Sequence, residues 1–265
     1  MIDGPVCFCG SHRYSEVLSG VWLRGGHEQG ISFTVAECES CRLARTLPVP
    51  DASRYERSQS CWSGSGTRPD SWSERIAEEL AGKAPGKRLL DVGCNTGNLV
   101  AAAGSKGFDA EGIDLDPDAI AQGRRLGRPV SATALEDLDG PYDVVVMNHV
   151  LEHVPDLRTF LGHAGRLLAP DGILAIRVPH YKGLVPRLMG DHWFAWAPDE
   201  HVWHFSGETL ERIVRESAPL RPVEIAARGA IEPPSDGLRG LAKGAIARCA
   251  DRMGRGDQIV ALFAR

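Results

Sequence analysis

The residues with the clearest chemical consequence form the stretch Leu89-Leu90-Asp91-Val92-Gly93-Cys94-Asn95-Thr96-Gly97. An apolar run ends there in a Gly-rich turn that opens onto a helix. Gly93 and Gly97 let the backbone approach a ligand closely, and the helix start behind them offers unpaired N–H groups. A dinucleotide loop would read Gly-x-Gly-x-x-Gly, to seat a pyrophosphate on that helix end. Here the spacing is Gly-x-x-x-Gly with Asp91 two residues before the first glycine, and the acid repels a phosphate and attracts a cation. Gly112-Ile113-Asp114-Leu115-Asp116 closes the next apolar run. Asp114 there can accept from both hydroxyls of a ribose, while Asp116 is placed to cap a helix starting at Pro117.

A second chemistry is written in thiols. Seven cysteines stand at 7, 9, 38, 41, 61, 94 and 249, an odd number unevenly spread, which argues against a secreted disulfide framework. Cys7-Phe8-Cys9 and Cys38-Glu39-Ser40-Cys41 read as two knuckles brought together by a hairpin, giving four thiolates for a tetrahedral structural zinc. With one residue instead of two inside the first pair, Cys7 is the least secure ligand and His12 is its alternative. Such a closed site holds together a segment too small to build its own core. Cys61, Cys94 and Cys249 are single and read as small buried hydrophobes.

The elements that must position these groups follow from periodicity. Trp72, Ile76, Ala77 and Leu80 have helical spacing up to Gly82. From residue 88, short apolar runs alternate with amphipathic segments: strands at Arg88–Val92, Ala110–Asp114, Tyr142–Asn148 and Gly172–Val178, and helices at Leu99–Ala103, Pro117–Leu126 and Leu157–Leu168. That alternation implies an α/β fold, a Rossmann-like, seven-stranded, mostly parallel sheet with helices on both faces and right-handed crossovers. Ser206 opens a further helix, Pro222–Ala227 and Gln258–Phe263 are late strands, and Gly237–Met253 reads as a basic helix with a solvated face. The domain plan is a zinc-ribbon-like segment at 1–50, a connection at 51–69 and a catalytic domain at 70–265 with an insertion at 179–205. Ser63-Gly64-Ser65-Gly66 within the connection is either a plain linker or a lid.

Composition agrees with a soluble globular chain: 265 residues, 43% hydrophobic, 25% charged, net charge −5. The acidic balance gives no global pull toward nucleic acid. No apolar run approaches the roughly 18 residues of a membrane span, and the first residues lack a secretory pattern, so a cytoplasmic protein with no membrane association is expected.

Together the Asp91–Gly97 and Asp114 stretches resemble the class I S-adenosylmethionine-dependent methyltransferases. Tyr142-Asp143-Val144-Val145-Val146-Met147-Asn148-His149-Val150-Leu151-Glu152-His153-Val154 is similar to the fourth strand and Leu-Glu-His-Val continuation of that family. Val178-Pro179, Gly190-Asp191-His192-Trp193 and Glu200-His201-Val202-Trp203-His204-Phe205-Ser206 are similar to its small-molecule subgroup, which includes ubiquinone-type O-methyltransferases and natural-product and sugar methyltransferases. The Cys segment resembles the zinc-binding region preceding some sugar and natural-product C-methyltransferases, whose C-terminal extension this chain lacks.

The resemblance implies methyl transfer from S-adenosylmethionine, leaving S-adenosylhomocysteine, to an oxygen or carbon of a small molecule in secondary-metabolite or sugar-related biosynthesis. It implies a cofactor site of Asp91, Gly93, Cys94, Asn95, Gly97, Asp114, Leu115, Leu135, Glu136 and Asn148, with the adenine near Glu136-Asp137-Leu138. His149 and His201 are the candidate bases, Tyr181 a weaker one, and His153 reads as a packing histidine. Trp193, Phe194, Trp196, Trp203 and Phe205 suit either an acceptor wall or a satellite core. A monomer or homodimer is expected. Two other functions stay open. One is an RNA base methyltransferase docking through Arg13, Arg24, Arg42 and Arg45; the other is a non-catalytic S-adenosylmethionine-binding scaffold.

Overall fold

The computed structural model describes residues 2–22, 30–50, 68–229 and 249–265. The expected lid at 63–66, most of the 51–69 connection, Cys61, Arg24 and the basic helix up to residue 248 lie outside the described residues.

The expected series of elements is present. Asp70 accepts from the Ser73 amide and starts α1 (Ser71–Ala81), which buries Ile76, Ala77 and Leu80 and ends at Gly82. The strand β5 (Arg88–Val92) leads through the Gly93–Gly97 loop into α2 (Asn98–Ser105). After β6 (Asp109–Ile113), Asp116 caps α3 (Pro117–Arg125) through the amides of Asp118 and Ala119, with Pro117 in the first turn, as its sequence position implies. Then come β7 (Val130–Ser131), β8 (Tyr142–Asn148), α4 (Leu157–Leu167), β9 (Leu168–Pro179) and the short α5 (Leu184–Met189). A Ser206–Thr209 capping box opens α6 (Gly207–Ser217), followed by β11 (Arg221–Arg228) and β12 (Gln258–Ala264).

The main sheet runs β11-β12-β9-β8-β5-β6-β7, parallel from β9 to β7, with β12 antiparallel to both of its neighbours. From β5 the chain goes outward to β6 and β7, then returns to β8 on the other side of β5. The crevice at the carboxyl ends of β5 and β8 is therefore the topological switch point, where α/β sheets bind ligands. Strand alternation divides the core. Leu89, Val144 and Val146 face α1 and α2, while Leu90, Val145 and Met147 face α4 and α6.

The N-terminal segment forms its own antiparallel sheet: β1 (Ile2–Asp3), β2 (Arg13–Trp22), β3 (Ile31–Cys38) and β4 (Ala44–Leu47). Its fifth strand is β10 (Trp203–His204), supplied by the catalytic half. Trp203 pairs with Arg45 and His204 with Ala44. The segment is thus not a free-standing ribbon. Thr46 fastens the joint: its hydroxyl donates to the His201 carbonyl at 2.7 Å and accepts from His204 Nε2 at 2.9 Å. Among the described residues no helix is long and apolar enough to cross a membrane.

Thr46→Val keeps the shape and removes both bonds, leaving buried partners unsatisfied. We expect it to lower unfolding free energy by about 1–3 kcal/mol in urea titration, with Thr46→Ser recovering most of that loss.

Candidate functional site

The Gly93–Gly97 loop is fully engaged with its own protein. The amides of Gly93 and Cys94 donate to the Ile113 carbonyl at 2.8 and 3.0 Å, and that of Gly97 donates to Cys94 O at 2.8 Å. Asn95 N donates to Asp114 Oδ2 and Thr96 N to Asn95 Oδ1, each at 2.7 Å. The loop amides are spent within the protein, whereas the helix start behind them, expected to offer unpaired N–H groups, has no side-chain cap; the argument from Asp91 against a phosphate stands. Gly93 and Gly97 have φ of +71° and +79°, and a Cβ at either would meet Val150 or Val130 within 2.7 Å, so only glycine serves there.

Two carboxylates sit behind this loop. Asp91 is buried, and burial, then the charge of Asp114, pushes it up to about 8. Asp114 accepts from Asn95 N through one oxygen and from Asp116 N through the other at 2.9 Å; burial raises it, against those bonds. Two acids destabilised in their charged forms, at the carboxyl ends of β5 and β6 beside the switch point, make a site suited to a cation. Of the other expected cofactor residues, Leu115 is 71% exposed beside Asp114, Glu136 is exposed, and Asn148 has a buried Oδ1 with no partner among the described residues. Cys94 and Leu135 turn their side chains into the core, so each can offer a ligand only backbone.

At the end of β8, His149 holds a left-handed φ of +57°, a strained state for a residue with a Cβ. Its side chain is 41% exposed, and Nδ1 donates to Glu152 Oε1 at 3.0 Å. Glu152 is 0% exposed. Burial alone would raise its pKa, but the hydrogen bond from His149 leads the interactions that outweigh it and lower the carboxyl. On the other side of the ring, Gln258 Nε2 donates to His149 Nε2 at 2.7 Å. With Gln258 as the donor, the imidazole carries its proton on Nδ1 and its Nε2 lone pair accepts from the amide.

The remaining candidates have other tasks. His201 is buried, donates Nδ1–H to the Ala195 carbonyl at 2.9 Å and meets the His153 ring edge-on at 4.7 Å; burial lowers its pKa. His153 is a packing histidine, as expected, its Nδ1 on the Glu200 carbonyl. Tyr181 is corrected as a base: its hydroxyl donates to Glu37 Oε2 at 2.5 Å, and burial together with that bond raises it far above neutral pH. Trp193 and Trp196 pack with Trp22, Phe33 and Val35, and Trp203 and Phe205 lie in the main core, which is the satellite-core alternative. Of the arginines read as an RNA face, Arg45 is buried over the Trp203 ring, Arg42 pairs with Glu37 at 2.7 Å and Arg13 with Glu39 at 3.7 Å. Cys94 is buried as expected, but Cys249 is exposed. Sequence reading missed Gln258 and did not single out the role of Glu152. The spacing His149-x-x-Glu152 was a usable signal for the second; nothing local marks the first.

The four thiols of Cys7, Cys9, Cys38 and Cys41 converge, all lying within 4.8 Å of one another, with Cys7–Cys41 at 3.5 Å and Cys9–Cys38 at 3.6 Å. Cys7, not His12, completes the set. The knuckles rest on the catalytic half, with Arg212 of α6 donating to the Cys41 carbonyl and Arg158 of α4 stacked 4.2 Å over Phe8.

A family model described as a methyltransferase domain matches residues 66–218, more than half of the chain. The chain belongs to this methyltransferase family. A ubiquinone biosynthesis O-methyltransferase of Bordetella avium is 37% identical over 106 residues, 36% of this chain and 44% of the relative. One from Caulobacter is 33% identical over 145 residues, 49% and 58%. The chain thus spans about half the length of the curated relatives it matches. Among solved structures, the Burkholderia thailandensis 1,6-didemethyltoxoflavin-N1-methyltransferase, with bound 1,6-didemethyltoxoflavin and S-adenosylhomocysteine, aligns with a TM-score of 0.56 at 17% identity. It covers 94% of this chain and 99% of that one. A methyltransferase of Thermotoga maritima, described as a possible histamine N-methyltransferase, gives 0.56 at 19%, covering 81% and 99%. At such identities the likeness shows the fold of the methyltransferase domain.

The buried histidines also set an acid limit. Burial, then the charge of His201, pushes His204 down to about 3, so the unfolded chain binds the proton that the folded one refuses. Its contribution is full above about pH 6.5 and is lost as pH falls, by about 1.4 kcal/mol per pH unit. We expect urea titrations between about pH 6 and 4 to show His204→Gln with a slope shallower by about that amount; equal slopes would exclude this origin of acid sensitivity.

Proposed function

We propose that this chain transfers a methyl group from S-adenosylmethionine to an oxygen or carbon of a small molecule, in secondary-metabolite or sugar-related biosynthesis. Oxygen is the atom named for its curated relatives. The observation that carries the reading is the pair of buried carboxylates, Asp91 on β5 and Asp114 just after β6, with His149 following the end of the neighbouring strand β8. A sulfonium cofactor is a cation with a ribose, which suits one acid on the charge and the other on the hydroxyls. When bound, it supplies an electrophilic methyl group and leaves as a neutral thioether.

The protein's own work is alignment, exclusion of water and handling of one proton. His149 Nε2 takes the proton of an acceptor hydroxyl as that oxygen bonds to the methyl carbon, and Glu152 balances the imidazolium. General-base help of this kind is worth about 10²–10⁴ in rate. Asp114 pins the loop through Asn95 and has lone pairs left for a ribose, while exposed Leu115 next to it can cover an adenine. We expect methyl label from S-adenosylmethionine, incubated with fractionated extract, to enter the low-mass fraction. Asp114→Asn should weaken cofactor binding at least tenfold by calorimetry with little change in melting temperature. Label in RNA or protein instead would overturn the small-molecule acceptor, and no label in any fraction would leave the scaffold reading.

Cys7, Cys9, Cys38 and Cys41 hold a structural zinc in this proposal. Zinc–sulfur bonds of about 2.3 Å put tetrahedral sulfurs about 3.8 Å apart, within reach of the spacing here. All four positions are filled by protein, so the ion would serve the N-terminal sheet and not the chemistry, and such thiolates suit a reducing cytoplasm. Elemental analysis should return one zinc per chain. A metal-free, fully folded protein with four freely titrating thiols would remove it.

A further inference from the structure

We propose that Gln258 is a positioning residue that sets the tautomer and proton affinity of His149 through the two faces of one amide; the inference rests on the reading of His149 as the base. Gln258 opens β12, opposite Pro179 of β9 and Arg228 of β11, and is 2% exposed. It stands 109 residues after His149, and its amide nitrogen donates to His149 Nε2 at 2.7 Å. Its amide oxygen is buried and has no partner among the described residues. The ring it touches hangs from a strained backbone, φ +57°, so the imidazole is held by what grips it at both ends, Glu152 at Nδ1 and Gln258 at Nε2.

The orphaned oxygen has a use. In the resting protein the amide N–H covers the Nε2 lone pair and keeps the neutral ring with its proton on Nδ1. An acceptor hydroxyl must displace that N–H to reach the base. Once the acceptor's proton is on Nε2, the ring presents an N–H where it had a lone pair, and the same amide, turned by half a rotation, offers Oε1 to receive it. One side chain therefore suits both protonation states, which neither a carboxylate nor an apolar residue could do. The other titratable groups facing His149 are Glu152, His153 and His201. Burial lowers the pKa of both histidines, and His149 is the ring that bonds both Glu152 and Gln258.

The test compares the full-length protein with Gln258→Glu and Gln258→Met. A carboxylate at 258 only accepts, so it should favour the imidazolium and move the acidic limb of the kcat/KM profile up by about one pH unit or more. Methionine, of similar length with neither an N–H for the neutral ring nor an oxygen for the imidazolium, should lower kcat about tenfold with little change in KM. Long-range nitrogen–proton NMR of the His149 ring, assigned by loss of its signals in His149→Asn, should show the Nδ1–H tautomer in the parent and the imidazolium in Gln258→Glu at the same neutral pH. A pH limb and ring signals unmoved in both variants would overturn the inference. The NMR arm needs no turnover. Shifted ring signals in a chain that transfers no label would keep the Gln258 coupling and sink the methyl-transfer reading, and label transfer with unmoved signals would do the reverse.

Discussion

A carboxylate with no exposure to water, yet ionised, is expensive to keep, and Glu152 is one. It stays charged because His149 donates to it and because its surroundings are imidazoles and not aliphatics. Its backbone is fixed as well, since its carbonyl accepts from the Val202 amide at 2.8 Å and the Val202 carbonyl accepts from Thr46 at 3.1 Å. The N-terminal sheet, through β4 and β10, thus holds the stretch that carries Glu152, the carboxylate to which His149 donates. What looked like an appended module is tied to the backbone beside Glu152.

The two ends of the crevice solve opposite electrostatic problems. On the proposed cofactor side, two acids are held above their ordinary pKa and every loop amide from Gly93 to Gly97 is used internally, so a cationic ligand would be what favours their charged forms. On the acceptor side a single negative charge is already balanced by a ring that can gain or lose a proton. A site that receives a cation and releases a neutral thioether needs this asymmetry, because a fixed positive partner beside Asp91 and Asp114 would compete with the ligand for them.

Much of the catalytic half was legible because its signals are local. Strand alternation such as Val144–Met147, caps such as Asp116-Pro117 and the Gly93–Gly97 turn each depend on neighbours within a few residues, and they put the switch point, and Asp91 and Asp114 at its strand ends, within reach of sequence reading. The Cys pairs were legible for the same reason. What was not legible depends on partners far along the chain. Tyr181 reads as a free phenol until Glu37, 144 residues away, is seen to take its proton donor. Trp193 and Trp196 read equally as an acceptor wall or a satellite core until β3 is laid over them. Two-residue β10 has too little length for any periodicity, and Gln258 is simply the first residue of a buried strand.

The pairing of β4 with β10 has a consequence for how the chain is assembled. Residues 44–47 leave the ribosome with their Cys-bearing neighbours already made, but the strand that completes their sheet is synthesised about a hundred and fifty residues later. In vectorial synthesis, where early segments fold first, this sheet must wait with an open edge through most of translation. Closing it is a contact of very high sequence separation and belongs to the slow end of folding. An ion clipping the two Cys knuckles together would let the early strands persist through that interval, which gives a metal far from the chemistry a role in the birth of the protein.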